Sequence, residues 1–366
     1  MKTKVLFSVL FATGVLFSSC SKDDDPTPLT KDQAKVEIAN LTETYATDSI
    51  AIINNEGMKA YDALSNLALP FVLPVTDLGG SVLSKVIARP DMDLVKKRDF
   101  RAVQQRLISL SGFVFSEYVG TWEQVNQVWT RTSTTPTDKV VVKFPYPSTN
   151  ATNNAIYTIS KYTIVASDMG YSGQYNANLS ISGSEVWSVA LTGSSSSSSI
   201  SGTSTVVYTS IATPKVSYEQ YESMELKISG NQVSGSVSFK ASRSLKKNGS
   251  ILLAANFTTT VSGSDTGVKI AMSGNVTIAN IRFEFKLAYS GTSLSEDVVM
   301  DKMQINVYNT AGAKLGSIEL SKDLTGNTVA TFVYVNGDKE DAEVLFGKIF
   351  YKIQGLFEGL AYIDEV

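Results

Sequence analysis

From Gly112 onward, apolar residues recur at every second position for some two hundred residues, which is the spacing of β-strands with one covered face and one wet face. The clearest case sets Ile281, Phe283, Phe285, Leu287 and Tyr289 against Arg282, Glu284 and Lys286. Val233 to Ala241 alternate with Ser234, Ser236, Ser238 and Lys240, and Val268, Ile270, Met272, Val276 and Ile278 with Lys269, Ser273, Asn275 and Thr277. A weaker version runs through Ile251, Leu253, Ala255, Phe257, Thr259 and Val261. Turn residues separate such runs at Ser182-Gly183, Ser229-Gly230-Asn231 and Ser262 to Gly267, so neighbouring strands are expected to pair as a meander. Val329, Thr331, Val333 and Val335 read as a last strand, and Asn336-Gly337-Asp338 turns the chain. Ser194 to Ser199 read as a flexible, exposed loop or hairpin tip.

Before Gly112 the period lengthens to that of a helix. Thr30-Lys31-Asp32-Gln33 has the form of a capping box, and Ala34, Ile38, Leu41, Tyr45 and Ile52 follow at helical spacing, predicting a helix to about Asn54. Asn54 to Gly57 read as a stop; Tyr61, Leu64 and Leu67 suggest a second helix, with further helical pieces over Asp77 to Ala88 and Asp91 to Leu110. Leu345, Ile349, Ile353, Leu356 and Leu360 predict a closing helix with Asp338 or Asp341 near its start. The expected fold is α+β: a large antiparallel, curved β-sheet packed on the N-terminal helices and one C-terminal helix. Residues 30–111 form the helical region, and 112–366 the sheet region with its closing helix, the two belonging to one fold.

The first residues carry an address. Lys2 and Lys4, an apolar run from Val5 to Phe17, small residues and a lone cysteine have the layout of a secretory signal over 1–19. That run is short for a membrane span. Residues 20–29 have charge and proline but little to bury, and read as a solvated tether. Leu16-Phe17-Ser18-Ser19-Cys20 resembles a loosened lipobox, and Ser21-Lys22-Asp23-Asp24-Asp25 is similar to the export tether of surface lipoproteins of the Bacteroidota. The resemblance implies a Cys20 carrying fatty acyl groups such as palmitate, an outer-membrane location facing the cell exterior, and no assigned activity. Two or more acyl chains would hold the protein durably.

Composition narrows what it does there. Losing Lys2 and Lys4 with the signal takes the formal charge from −3 to −5, with no strongly basic character to suit nucleic acid. Histidine is absent, which removes Ser-His-Asp and Cys-His chemistry and every histidine-based metal site. No cofactor, metal or catalytic residue is assigned, and the chain is read as a non-enzyme. The carboxylate groups Asp91/Asp93, Glu222/Glu225, Glu296/Asp297/Asp301 and Asp338/Glu340/Asp341/Glu343 read as solvated charges, because glycoside hydrolysis needs two carboxylates held across a sugar. Lys96-Lys97-Arg98, Arg101 and Arg106 read as a wet helix face.

Three features remain as binding candidates. Gly120-Thr121-Trp122 resembles the Gly-x-Trp signature of lipocalins, which makes Trp122 and Trp129 candidate walls of an apolar pocket, against the plainer reading of sheet-packing residues. Asp48-Ser49-Ile50 resembles an O-glycosylation acceptor of exported Bacteroidota proteins. Tyr171, Tyr175, Tyr208, Tyr218 and Tyr221 would stack on sugar if displayed together. The expected function is a surface-exposed binding or structural module meeting a glycan or a protein; the alternative is a carrier of a lipid or other apolar ligand.

Overall fold

The computed structural model describes residues 26–41, 55–67, 69, 71, 114–125, 128–167, 170–230, 235–264, 267–291, 303–325 and 328–346. Cys20, the tether residues Ser21 to Asp25, Ser49, the basic run at Lys96 and the expected helices over Asp77 to Ala88 and Asp91 to Leu110 lie outside them. So do Asp91/Asp93, Glu296/Asp297/Asp301 and the expected closing helix beyond Phe346.

The chain is mostly antiparallel sheet with a few helices. Helix α1 covers 31–41, α2 Glu56–Ser65, α3 Phe115–Tyr118 and α4 Ala342–Phe346. The strands are β1 Gly120–Val125, β2 Val128–Ser133, β3 Val140–Phe144, β4 Ala155–Ser167, β5 Gly170–Ile181, β6 Ser184–Ser196, β7 Ser199–Thr209 and β8 Ser217–Gly230. There follow β9 Gly235–Lys247, β10 Ser250–Ser264, β11 Gly267–Ile278, β12 Ile281–Gly291, β13 Gln304–Asn309, β14 Lys314–Lys322, β15 Thr328–Tyr334 and β16 Lys339–Asp341. From β16 back to β3 the hydrogen-bonded order follows the sequence, and the sheet does not close. The meander breaks at the start: β1 and β2 form an antiparallel pair, but β3 lies parallel to β1, giving the order β3-β1-β2.

Two compact units divide this chain: unit I is Met1–Asp48, Met224–Ser244 and Ile251–Val366, and unit II is Ser49–Ser223 with Leu245–Ser250. In unit I, β11 to β15 present one apolar face. The alternation in β12 appears directly, with Ile281, Phe283, Phe285 and Leu287 buried and Arg282, Glu284 and Lys286 wetter. Phe283 meets Phe346 of α4 edge-on at 5.3 Å, and Phe332 meets Phe346 at 5.6 Å. On β15 the buried residues are Ala330, Phe332 and Tyr334, whereas Thr331 and Val333 are half-exposed and Val335 is 47% exposed beyond its end. That strand is followed by the short β16, so it is not the last. Ile251 likewise lies at the wet start of β10, 49% exposed.

In unit II, β3 to β7 make the corresponding face, covered by α2. Asn55 is not part of a stop but the N-cap of α2, its Oδ1 accepting from the Gly57 N–H at 2.8 Å. Gly57 then lies against the sheet so closely that a Cβ there would stand 2.0 Å from the Val186 carbonyl oxygen. Val186 is the extra residue of a bulge between Leu179/Ser180 and Trp187/Glu185. The bulge explains why two successive residues of β6, Val186 and Trp187, are both buried.

The serine run is strand rather than loop. Ser194 to Ser196 end β6, Ser199 starts β7 and only Ser197-Ser198 turn. Ser195 is buried on the core side, while hydroxyls pair across the outer side at Ser194/Ser201 and Thr192/Thr203. The Ser182-Gly183 turn forms as expected, with φ of 48° and 82°, the left-handed pair that a two-residue hairpin requires.

Candidate functional site

Two places concentrate side chains beyond what a plain sheet needs. The first is the aromatic face of unit II. Backbone register lines up Trp122, Val142, Tyr157, Leu179, Trp187 and Tyr208 across six strands. Residues directly opposite in a ladder point to the same face, so this row is one continuous aromatic and aliphatic strip. Tyr61 of α2 stacks on Trp187 at 4.7 Å and 17°. The Tyr157 and Tyr175 hydroxyls hydrogen-bond to each other, and Tyr162 stands edge-on to Tyr175 at 6.4 Å.

Burial raises the pKa of Tyr157 and Tyr175 above the usual phenol range, so both stay neutral and one hydroxyl donates to the other. Tyr208 is pushed up to about 12, first by burial and then by the neighbouring Tyr61. The Trp187 Nε1 is buried and makes no hydrogen bond of ordinary length; the Tyr208 hydroxyl, which feels this N–H, is the group poised to accept from it.

Trp122 and Trp129 belong to this face but at its rim. Trp122 is opposite Arg131 and Trp129 opposite Gln124, which places both rings on the core side of β1 and β2. Each is half-buried against the aromatic cluster, and Trp122 donates from Nε1 to the Tyr118 carbonyl at 2.8 Å. Of the tyrosines singled out as a stacking platform, Tyr175 and Tyr218 are buried and Tyr208 is half-buried in the cluster. Tyr218 and Tyr221 are three apart on β8 and therefore face opposite sides. Tyr175, Tyr208, Tyr218 and Tyr221 therefore make no shared platform. Trp187, the most buried of the tryptophans, is the residue that alternation in the sequence did not single out.

The second place is the seat of the N-terminal segment in unit I. Thr30 and Gln33 form the capping box, with Thr30 N donating to Gln33 Oε1 at 3.0 Å and Gln33 N to Thr30 Oγ1 at 3.4 Å. Ala34, Ile38 and Leu41 are buried. Leu29 N donates to the Lys314 carbonyl at 2.9 Å, and the Asn280 amide donates to the Glu37 carbonyl at 3.1 Å and to its carboxylate. Lys31 meets Asp338 at 2.9 Å and Lys35 meets Glu340 at 2.6 Å, while Lys31 also lies over the Tyr334 ring at 5.3 Å. Hydrogen bonds from the two lysines hold Asp338 and Glu340 below the ordinary carboxylate range.

Among the described residues, the acidic groups singled out from the sequence have partners. Asp341 caps α4 through the Glu343 and Val344 amides at 2.8 and 3.1 Å. Glu222 accepts from Gln220, and Glu225 pairs with Lys227 at 2.6 Å, which lowers its pKa. Glu222 and Glu225 lie on opposite faces of β8. Among the described residues, no three acidic or thiol side chains gather as a metal would need. No protein-family model matches the chain, no curated protein matches it and no solved structure does, so its function has to be argued from its own residues.

Proposed function

We propose that the chain is a lipid-anchored protein of the outer membrane, facing the cell exterior, that works as a non-enzymatic binding or structural module for a glycan or protein. Cys20 carries the acyl chains, Ser21 to Asp25 form the export tether, and the likeness is to surface lipoproteins of the Bacteroidota. One observation carries the reading furthest: the stretch 26–41, whose first four residues are expected from the sequence to belong to the solvated tether but lie against unit I at Leu29 and Pro26, is fixed there by a capped helix, buried apolar side chains and ion pairs. A stalk transmits position only if its root is fixed. Carboxylates spent on lysines, amides and a helix cap support the absence of turnover. Bulges at Thr121/Trp122, Ile159/Lys161 and Leu179/Ser180 in unit II, and at Val307/Tyr308 in unit I, bend the strands locally.

The test is Cys20→Ala followed by fractionation, with protease added to intact cells. Loss of the variant from the envelope, and cleavage of the wild type without lysis, are the expected results; a variant that stays with the envelope refutes the anchor. A second reading, carriage of an apolar ligand between α2 and the sheet, draws on the aromatic strip around Trp187. Native mass spectrometry of the lipid-free protein decides it: a co-purifying lipid supports carriage, and a bare mass refutes it.

A further inference from the structure

The geometry points to one end of unit I, formed by the turns at 279–280, 310–312 and 335–337, as the surface that lies against the bilayer. This rests on the acylation of Cys20 proposed above. The strand registers put these turns at the same end, because Ile278 pairs with Ile281, Ile281 with Asn309, Tyr308 with Lys314 and Gly316 with Tyr334. The N-terminal segment enters the fold there. Leu29 hydrogen-bonds Lys314 at the start of β14, and a Cβ on Gly312 would touch Pro26 at 3.4 Å.

Chain length then sets the distance. The six peptide links from Cys20 to Pro26 span about 20 Å at full stretch. Lys314–Lys322 of β14 runs from this end to the turn at Asp323 and Leu324, about 30 Å at the usual strand rise. An acylated Cys20 holds the near turns within about 20 Å of the lipid, and the far turn stands roughly a strand length further out. The near turns also suit a lipid surface in charge. Ala279-Asn280, Thr310-Ala311-Gly312 and Val335-Asn336-Gly337 carry none of their own; the carboxylates beside them include Asp338, paired with Lys31, and Glu37, which accepts from the Asn280 amide. A phosphate-bearing headgroup layer there meets uncharged turns whose neighbouring acids Asp338 and Glu37 are already held by donors of the protein.

The experiment uses the full lipidated chain in phosphatidylethanolamine/phosphatidylglycerol vesicles. Because the acyl group occupies the only native thiol, Ala311→Cys and Leu324→Cys each accept a single nitroxide label. Relaxation by nickel chelated to a lipid headgroup is expected to be at least about three-fold stronger at 311 than at 324, and to fall at 311 when about twenty Gly/Ser residues are inserted before Pro26. Equal or reversed relaxation in proteins that float with the vesicles overturns the orientation while leaving the anchor intact. Failure to float, matched by Cys20→Ser, overturns the acylation and this proposal with it.

Discussion

Replacing Gly57 by alanine sets two forces of known sign against each other. In an ordinary helix the change stabilises by about 0.8–1 kcal/mol, because glycine spends more backbone entropy than alanine. In α2 the new Cβ would lie 2.0 Å from the Val186 oxygen and 2.9 Å from the Thr209 nitrogen, both backbone atoms. Neither can swing aside like a side-chain tip, so the helix must lift from the bulge or the bulge must shift. Overpacking of this kind costs about 1–3 kcal/mol and occasionally more, which outweighs the propensity gain. Lifting α2 also loosens the Tyr61–Trp187 stack, now at 4.7 Å. Urea unfolding followed by tryptophan emission is the fitting assay, since Trp122, Trp129 and Trp187 all belong to unit II. Gly57→Ala should lower stability by up to about 2 kcal/mol net. Exposed Lys59→Gly, on the same helix, should lose only the propensity difference of roughly 1 kcal/mol and leave the native emission unchanged. A Gly57→Ala protein more stable than wild type would refute the close approach of α2 to β6.

Other substitutions test the two cores and the seat of the N-terminal segment. Tyr157→Phe or Tyr175→Phe alone should cost about 1–3 kcal/mol by leaving a buried hydroxyl without its partner, and the double variant should recover part of that loss in a denaturation cycle. Phe332→Ala should destabilise by about 3–5 kcal/mol and Val333→Ala, half-exposed on the other face, by about 1 kcal/mol; equal losses in thermal melts would refute the assigned core face of β15. Asp338 and Glu340 have pKa values lowered by lysine hydrogen bonds. Their contribution is present above the unfolded values of 3.8 and 4.5 and is lost as pH falls through the lower folded ones. The gap in thermal midpoint between wild type and Lys31→Met/Lys35→Met should therefore be open at pH 7, shrink below pH 4 and shrink in high salt. Raised Lys31 closes the gap again only above its ordinary 10.5.

Where one side of a strand is buried and the other wet, the sequence shows it, and β12 reads off Ile281 to Leu287 without ambiguity. The capping box at Thr30 was equally legible, because local hydrogen bonds need only neighbours, whereas the sequence offers both Asp338 and Asp341 for the start of α4, and it is Asp341 that caps it. Legibility failed where a tertiary fact decides. On β15 both sides are apolar enough to qualify, and only the packing of Phe346 selects Phe332. At β6 the bulge residue Val186 breaks the period of 2, which hid Trp187. Serine composition suggested a loop at Ser194, but hydroxyls pairing across a ladder make good strand residues on a wet face. Asn248-Gly249, with φ of 49° and 83°, is the strongest short hairpin signal in this stretch and was readable, though it was not singled out. The parallel pairing of β3 with β1 has no local signature at all. Of the candidate sites, Trp122 and Trp129 do share a face; the tyrosine platform dissolves because Tyr175 and Tyr218 are buried, Tyr208 is half-buried in the cluster and Tyr221 faces the side opposite Tyr218.

Among the described residues, the strand order ends in two margins, β16 and β2. A broad sheet is a template for its own kind wherever a long, flat edge leaves peptide groups open. Here one margin is β16, only Lys339, Glu340 and Asp341 long, and the other is β2, six residues interrupted by an irregular register and carrying Arg131. A neighbouring copy would gain few backbone hydrogen bonds and would meet charge at either side. Copies of the protein crowded together therefore have little edge along which to zip into fibres.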